Sequence, residues 1–281
     1  MPRLRLGALL LPVILTGGGA AAADWVKPPP DPPGSGQLIL SEGSLWRAFH
    51  TWRTPQVRKD GKLVDGPNDA YGPSYLTRTP EPPADWTKPE FADGSWSRLS
   101  ISRHPRNDYC GVNDGPTLSL LCLRGRFSVD DPEKVRGMTL SLAYRGGAVV
   151  YLNGKELARA NLPKDGPLTA ETLADDYPPE VFVDDKGQCV RNVVHDDGFI
   201  WASAADTLAK RIRGINGLEI KPADLRKGAN VLAVEIHRAP YFGPGLAKED
   251  INHVSVWSTC GLVRLARHDR SEEHTSELQS R

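Results

Sequence analysis

The chain has 281 residues, of which 24 are Pro and 27 are Gly, and its 35 basic side chains balance 35 acidic ones. Prolines scattered from Pro55 to Pro244 exclude a helical bundle, because each removes a backbone donor and clashes with the preceding turn. Zero net charge excludes a polybasic binder of nucleic acid or anionic membrane, whose affinity comes largely from neutralised phosphates. A neutral, turn-rich, β-rich protein remains.

The first residues carry Arg3 and Arg5, an apolar run from Leu6 to Thr16, and small residues up to Ala23. This is the pattern of a secretory signal peptide over residues 1–23. The run holds Pro12 and falls short of the ~20 apolar residues a membrane span needs. With no Cys near the cleavage point, no lipoprotein anchor is expected, and the mature protein should be secreted or periplasmic. Residues 24–36, which include the string WVKPPPDPPGSG, read as a stiff Pro-rich linker. The folded unit is expected over residues 37–267.

Strand signals follow in chain order. LSLLCLRGRFSV places Leu121, Leu123, Phe127 and Val129 in phase, and GMTLSLAYRGG alternates Met138, Leu140, Leu142 and Tyr144 with Thr139, Ser141 and Ala143. Next, AVVYL meets Asn153-Gly154 and continues as KELARA. Both turn residues tolerate positive φ, which predicts a β-hairpin from Ala148 to Ala160. One short helix is expected over Ala204 to Arg213, with Ser203 and Asp206 as a cap pair and Gly214 ending it. NVLAVEIHR puts Leu232, Val234 and Ile236 on one face against Ala233, Glu235 and His237, and HVSVWSTCGLVRL supplies a last strand. Arg270 to Ser280, RSEEHTSELQS, resembles the conceptual translation of a sequencing-library adapter. Residues 270–281 are therefore read as an artefact, and the natural chain is expected to continue past Asp269, with missing C-terminal domains as partners.

An exported chain makes the four cysteines disulfide candidates. Three pairings are possible. Proximity in sequence favours Cys110–Cys122 and Cys189–Cys260, while buried free thiols remain open because Cys122 and Cys260 sit in strand-like runs.

The succession PEFADGSW (Phe91, Asp93, Trp96), LRGRFSV (Phe127), AVVYLNGKELARANLP (Tyr151, Asn153, Gly154) and LRKGANVLAVEIHR (Asn230) resembles a known domain. It is similar to the galactose-binding-like jelly-roll β-sandwich that accompanies secreted bacterial glycoside hydrolases, such as the sugar-binding domain of β-galactosidase-type enzymes. Ala92 departs from the family's F-D-D-S-x-W, and Arg145-Gly146 stands where an acidic pair is usual. The resemblance covers about 38–265, with residues 164–216 read as an insertion. It implies an all-β jelly-roll sandwich in which these motif residues are scaffold: Trp96 and Phe91 as core anchors, Asn153, Gly154 and Asn230 as backbone geometry.

Catalytic signatures are missing: no G-x-S-x-G, H-E-x-x-H, Walker loop or dinucleotide G-x-G-x-x-G occurs. The tandem pairs Asp175-Asp176, Asp184-Asp185 and Asp196-Asp197 are adjacent, so in extended chain their side chains point to opposite faces. They read as solvated turn carboxylates, with a structural calcium site as the alternative. His195, His237 and His253 read as surface or hydrogen-bonded histidines, so neither a metal nor a cofactor is assigned. A bound glycan asks for a ring against its apolar face and nearby polar groups for its hydroxyls. Three loops offer both: Arg106, Asp108 and Tyr109; Asp197 and Trp201; Arg238, Tyr241 and Phe242. The sequence thus points to a non-catalytic carbohydrate-binding or accessory module of a larger secreted, polysaccharide-degrading protein. The alternative is a structural or protein-interaction sandwich with no glycan ligand.

Overall fold

A computed structural model describes residues 37–41, 44–66, 78–100, 117–135, 137–187, 209–243 and 259–269. Among them are thirteen strands: β1 (Gln37–Ser41), β2 (Trp46–Trp52), β3 (Gln56–Lys59), β4 (Lys62–Asp65), β5 (Ser97–Leu99), β6 (Leu118–Val129), β7 (Met138–Arg145), β8 (Gly147–Leu152), β9 (Lys155–Ala160), β10 (Arg213–Ile220), β11 (Gly228–His237), β12 (Tyr241–Phe242) and β13 (Gly261–Asp269). They form a four-stranded sheet in the order β1-β13-β7-β10, a six-stranded sheet β5-β2-β6-β11-β8-β9 and a small sheet β12-β3-β4. The chain is an all-β sandwich. Three short 3-10 turns, at Pro132–Lys134, Pro179–Val181 and Pro222–Asp224, each begin on a proline whose missing N–H would have no intrahelical partner there anyway.

The core lies between the four- and six-stranded sheets, and the alternation in the sequence fills it. Leu121, Leu123, Phe127 and Val129 of β6 meet Met138, Leu140, Leu142 and Tyr144 of β7, with Leu232, Val234 and Ile236 of β11 beside them. Trp46 is fully buried in this layer and donates its indole N–H to Ser41 O at 2.9 Å. Gly125 makes room for it, since a Cβ there would stand 2.8 Å from the Trp46 ring. Asn153 (φ 53°) and Gly154 (φ 87°) close the β8–β9 hairpin as a left-handed pair, the geometry Asn-Gly tolerates best.

The predicted helix is corrected at its C-terminal end. Arg213 and Gly214 belong to β10, opposite Tyr144 and Ala143 of β7, and residues 204–208 lie outside the described residues. Tertiary pairing decides this. Arg213 donates to the carbonyls of Gly146, Asp175 and Asp176 at 2.8, 2.9 and 3.0 Å, and its guanidinium lies 3.8 Å from the Tyr177 ring centroid. Those bonds hold the segment extended against the sheet edge, overriding a local helical preference.

Both faces of β11 are covered. The outward residues Val231 and Ala233 pack with Leu120 and Cys122 of β6 beneath Trp86 and Trp96, and Phe49, Phe91 and Tyr151 complete that layer. Leu162, Ala174 and Ala239 cover Val149. Segments 78–96 and 161–187 therefore roof the outer face of the six-stranded sheet.

Candidate ligand cleft on the outer face of the six-stranded sheet

Strand register assembles the floor of a cleft from residues far apart in sequence. Phe49, Cys122, Glu235, Val149 and Arg159 stand opposite one another in one row across β2, β6, β11, β8 and β9. In antiparallel sheets such partners share a face. Tyr151, opposite Ala233, lies in the adjoining row. A cleft of about 400 Å³ opens over Glu235, Arg159 and Tyr151, walled by Glu81, Pro82, Trp86 and Leu168.

The polar floor is fully engaged from below. Tyr151 OH donates to Glu235 Oε2 at 2.8 Å, and Glu235 Oε1 lies 2.8 Å from His237 Nε2. His237 Nδ1 faces Thr172 O at 3.1 Å. A carbonyl can only accept, so this contact is a hydrogen bond when Nδ1 carries the ring hydrogen. Burial, followed by the charge of Glu235, pushes the Tyr151 hydroxyl above its ordinary range and keeps it a donor. Each Glu235 oxygen retains a second lone pair, so the floor offers acceptors to a ligand that brings hydroxyl donors.

The walls are tied down in the same way. Arg53, whose side chain is 7% exposed, bonds Glu81 Oε1 at 2.8 Å, Glu171 Oε1 at 2.9 Å, Trp52 O at 2.8 Å and Thr79 O at 2.6 Å. Glu81 also accepts the Ala170 N–H on both oxygens, at 3.2 and 3.1 Å. One buried guanidinium thus pins both roofing segments to the end of β2. Arg159 forms a bidentate pair with Glu156 at 3.0 and 2.8 Å and donates to Pro163 O and Gly166 O. Trp86 meets Tyr151 edge-on, with centroids 6.0 Å apart at 75°.

Of the three loops named by the sequence, the one with Arg238, Tyr241 and Phe242 is described, and these residues do not line the cleft. Arg238 is buried and donates to Arg53 O at 3.2 Å and to Thr54 O; Tyr241 beside it is fully buried. Phe242 stacks on Phe182 with centroids 5.2 Å apart at 1°. Tyr241 and Arg238 therefore face inward, which corrects the expectation of exposed rings on this loop: a short β12 pairs with β3 and draws them in. Arg106, Asp108, Tyr109, Asp197 and Trp201 lie outside the described residues, as do Cys110 and Cys189. Their suggested partners Cys122 and Cys260 are fully buried, the first on the outer face and the second between the sheets, and burial pushes the Cys122 thiol up.

The motif residues hold the frame. Trp96 and Phe91 bury their rings on the outer face rather than between the sheets, 5.5 Å apart. Asn230 exceeds the backbone role read for it: it accepts from Arg226 N and Asn153 Nδ2 and donates to Arg226 O and Gly228 O. Among the tandem carboxylates, Asp176 pairs with Arg58 at 2.9 Å and Asp184 caps Lys186 N; Asp196-Asp197 lies outside the described residues. Sequence reasoning passed over Glu235, Glu81, Arg159 and Trp86. The available signal was Glu235 itself, a carboxylate in the otherwise apolar run VLAVEI.

No family model and no curated protein matches the chain. Among solved structures, it is similar to a glycosyl hydrolase family 2 member from Bacteroides cellulosilyticus, at 12% identity and TM-score 0.35 over 82% of this chain and 20% of that one. A Bacteroides uniformis β-glucuronidase aligns at 12% identity and TM-score 0.36 over 83% and 18%. A Bifidobacterium dentium β-glucuronidase aligns at 13% identity and TM-score 0.35 over 84% and 30%. The chain spans less than a third of the length of each of these enzymes.

Proposed function

We propose that the chain is a non-catalytic carbohydrate-binding or accessory module of a larger exported, polysaccharide-degrading protein. The cleft over Tyr151 and Glu235 is the observation that carries this reading. Its floor presents acceptors fixed by buried donors, and Pro82 and Leu168 beside the largely buried Trp86 give its walls apolar surface of the kind a sugar ring packs on. The galactose-binding-like motifs and the signal-peptide pattern read in the sequence agree with it. Catalysis is the weaker reading because the carboxylates are committed: Glu81 brackets Arg53 and the Ala170 N–H, and Glu235 is shared between Tyr151 and His237. A second reading, a protein-interaction sandwich, is favoured by β4, whose residues are all exposed and include Leu63 and Val64. An exposed apolar edge strand of this kind can pair with another chain.

Titration of the protein with neutral oligosaccharides separates the two. Saturable binding that falls about tenfold or more in Tyr151→Phe and Glu235→Gln, with unchanged far-UV circular dichroism, supports the cleft; a lost hydrogen bond to a charged group costs ~1.5–3 kcal/mol. Absence of binding to every glycan by the wild-type chain rules the reading out and leaves the protein-interaction sandwich.

A further inference from the structure

A second feature of the same outer face lies at the opposite side of the six-stranded sheet and is independent of the cleft. Arg98 of β5 stands opposite Arg47 of β2, and Arg47 stands opposite Arg124 of β6. Three guanidinium side chains therefore occupy one row on three adjacent strands, and Arg126 follows two residues along on the same face of β6. Like charges directly opposite one another in a sheet repel and cost stability unless something neutralises them.

Among the described residues one carboxylate bonds this row, Asp93, and it is oversubscribed. Its Oδ2 accepts from Arg124 Nε at 2.9 Å and from Arg126 Nε and Nη2 at 3.3 and 3.1 Å, while Arg47 Nε stands 4.0 Å from Oδ1. Burial alone would raise the Asp93 carboxyl, but the hydrogen bonds from Arg124 and Arg126 outweigh it and hold the group below its usual range. Of the other acidic groups on the covering turn, Glu90 is paired with Arg226 at 2.8 Å, and Asp85 acts on Arg124 through its charge without a hydrogen bond to it. Arg98 is exposed and has no hydrogen-bond or ion-pair partner among the described residues. Arg124 has a fully buried side chain whose Nη2 also lacks an acceptor. A buried, charged donor without a partner is costly, and so is an uncompensated cluster of like charge. Arg126 and Arg47 keep 39% and 30% of their side-chain surface open, so the cluster can be reached from solvent.

From the row of opposed arginines and the one carboxylate that they share among the described residues, we infer an anion site on the outer face at the β5 edge. Arg47, Arg98 and Arg126 form its accessible wall. Its ligand is an oxyanion of the sulfate or phosphate type, whose several oxygens suit multiple guanidinium forks at once. An anion there neutralises the excess charge that Asp93 leaves.

The test uses the whole chain and three probes: inorganic sulfate, inorganic phosphate and a sulfated disaccharide, each against sodium chloride at matched ionic strength. Expected is a saturable rise in the melting temperature and a calorimetric isotherm with at least one probe, weakened at least fivefold in Arg98→Ala. Arg98 touches nothing in the core, so that variant should fold like the parent, and Arg126→Gln gives a second reading of the same wall. Binding of the free ions but not of the sulfated sugar identifies a site for a free oxyanion, and the reverse identifies a sulfate ester on a glycan; either supports the site. Sulfate and phosphate behaving like chloride, or Arg98→Ala binding as tightly as the parent, overturns it.

Discussion

Asn230→Ala tests whether one buried amide locks the hairpin to the strand beside it. Asn230 is fully buried and makes four hydrogen bonds: it accepts from Asn153 Nδ2 at 2.8 Å and Arg226 N at 2.9 Å and donates to Arg226 O at 2.7 Å and Gly228 O at 3.0 Å. Asn153 adds its own bond, accepting from Val231 N at 3.0 Å, while holding a positive φ. At ~1 kcal/mol per hydrogen bond the deletion removes ~4 kcal/mol, and because the Arg226 backbone can regain water, about 3 kcal/mol is the expected loss. With a urea slope of about 2 kcal/mol/M the midpoint should fall by ~1.5 M at unchanged slope. The Asn153→Ala, Asn230→Ala double variant should lose less than the sum of the singles, by ~0.5 kcal/mol or more, because the two amides share a bond. A single-variant loss below ~1 kcal/mol, or strict additivity, would refute the idea that this pair is a unit.

Two further expectations concern the frame. A Cβ on Gly146 would collide with the His237 carbonyl and lie 2.6 Å from Thr259 O, at φ 92°, so Gly146→Ala should abolish soluble expression; a soluble variant with a parental melting temperature contradicts the packing described. Asp93 has a folded-state pKa lowered from 3.8, so its contribution is present above that value and is lost as pH falls through the folded one. Melting temperatures measured from pH 7 down to pH 2 should therefore drop on the acid side in the parent, and Asp93→Asn should remove part of that drop; identical acid limbs would show that Asp93 contributes nothing.

The strands were legible because one physical rule writes them. Residues facing the inter-sheet core are apolar at every second position along β7, and along β6 and β11 apart from Gly125 and Asn230. The Asn153-Gly154 turn was legible for an equally local reason, the positive φ that both residues adopt. The helix end failed where a distant strand intervened: nothing within Ala204 to Arg213 announces that Tyr144 and the carbonyls of Asp175 and Asp176 will hold Arg213 extended. Tyr241 and Phe242 failed similarly. An aromatic ring in a loop has the same signature whether it stacks on a ligand or on Phe182, and the difference rests on a two-residue strand pairing parallel to β3.

The cleft escaped the sequence because strand register, rather than any motif, assembles it. Glu235 stands in one row with Val149 and Arg159 of the β8–β9 hairpin although it lies far from them along the chain, and Tyr151 reaches Glu235 diagonally from the next row. The same holds for Arg98, Arg47 and Arg124, which have no recognisable spacing in sequence and become neighbours only when β5 and β6 flank β2. Both rows lie on the face that alternation marks as solvent, and both became half-buried because aperiodic segments, 78–96 and 161–187, settle over it. On a sheet covered this way, an outward charge has to find a partner. Glu235 finds Tyr151 and His237, whereas among the described residues the arginine row is left with one bonded carboxylate for four guanidinium groups. That imbalance separates the two ends of the face chemically: the end at Glu235 offers acceptors to hydroxyl groups, and the end at Arg98 offers donors to an anion.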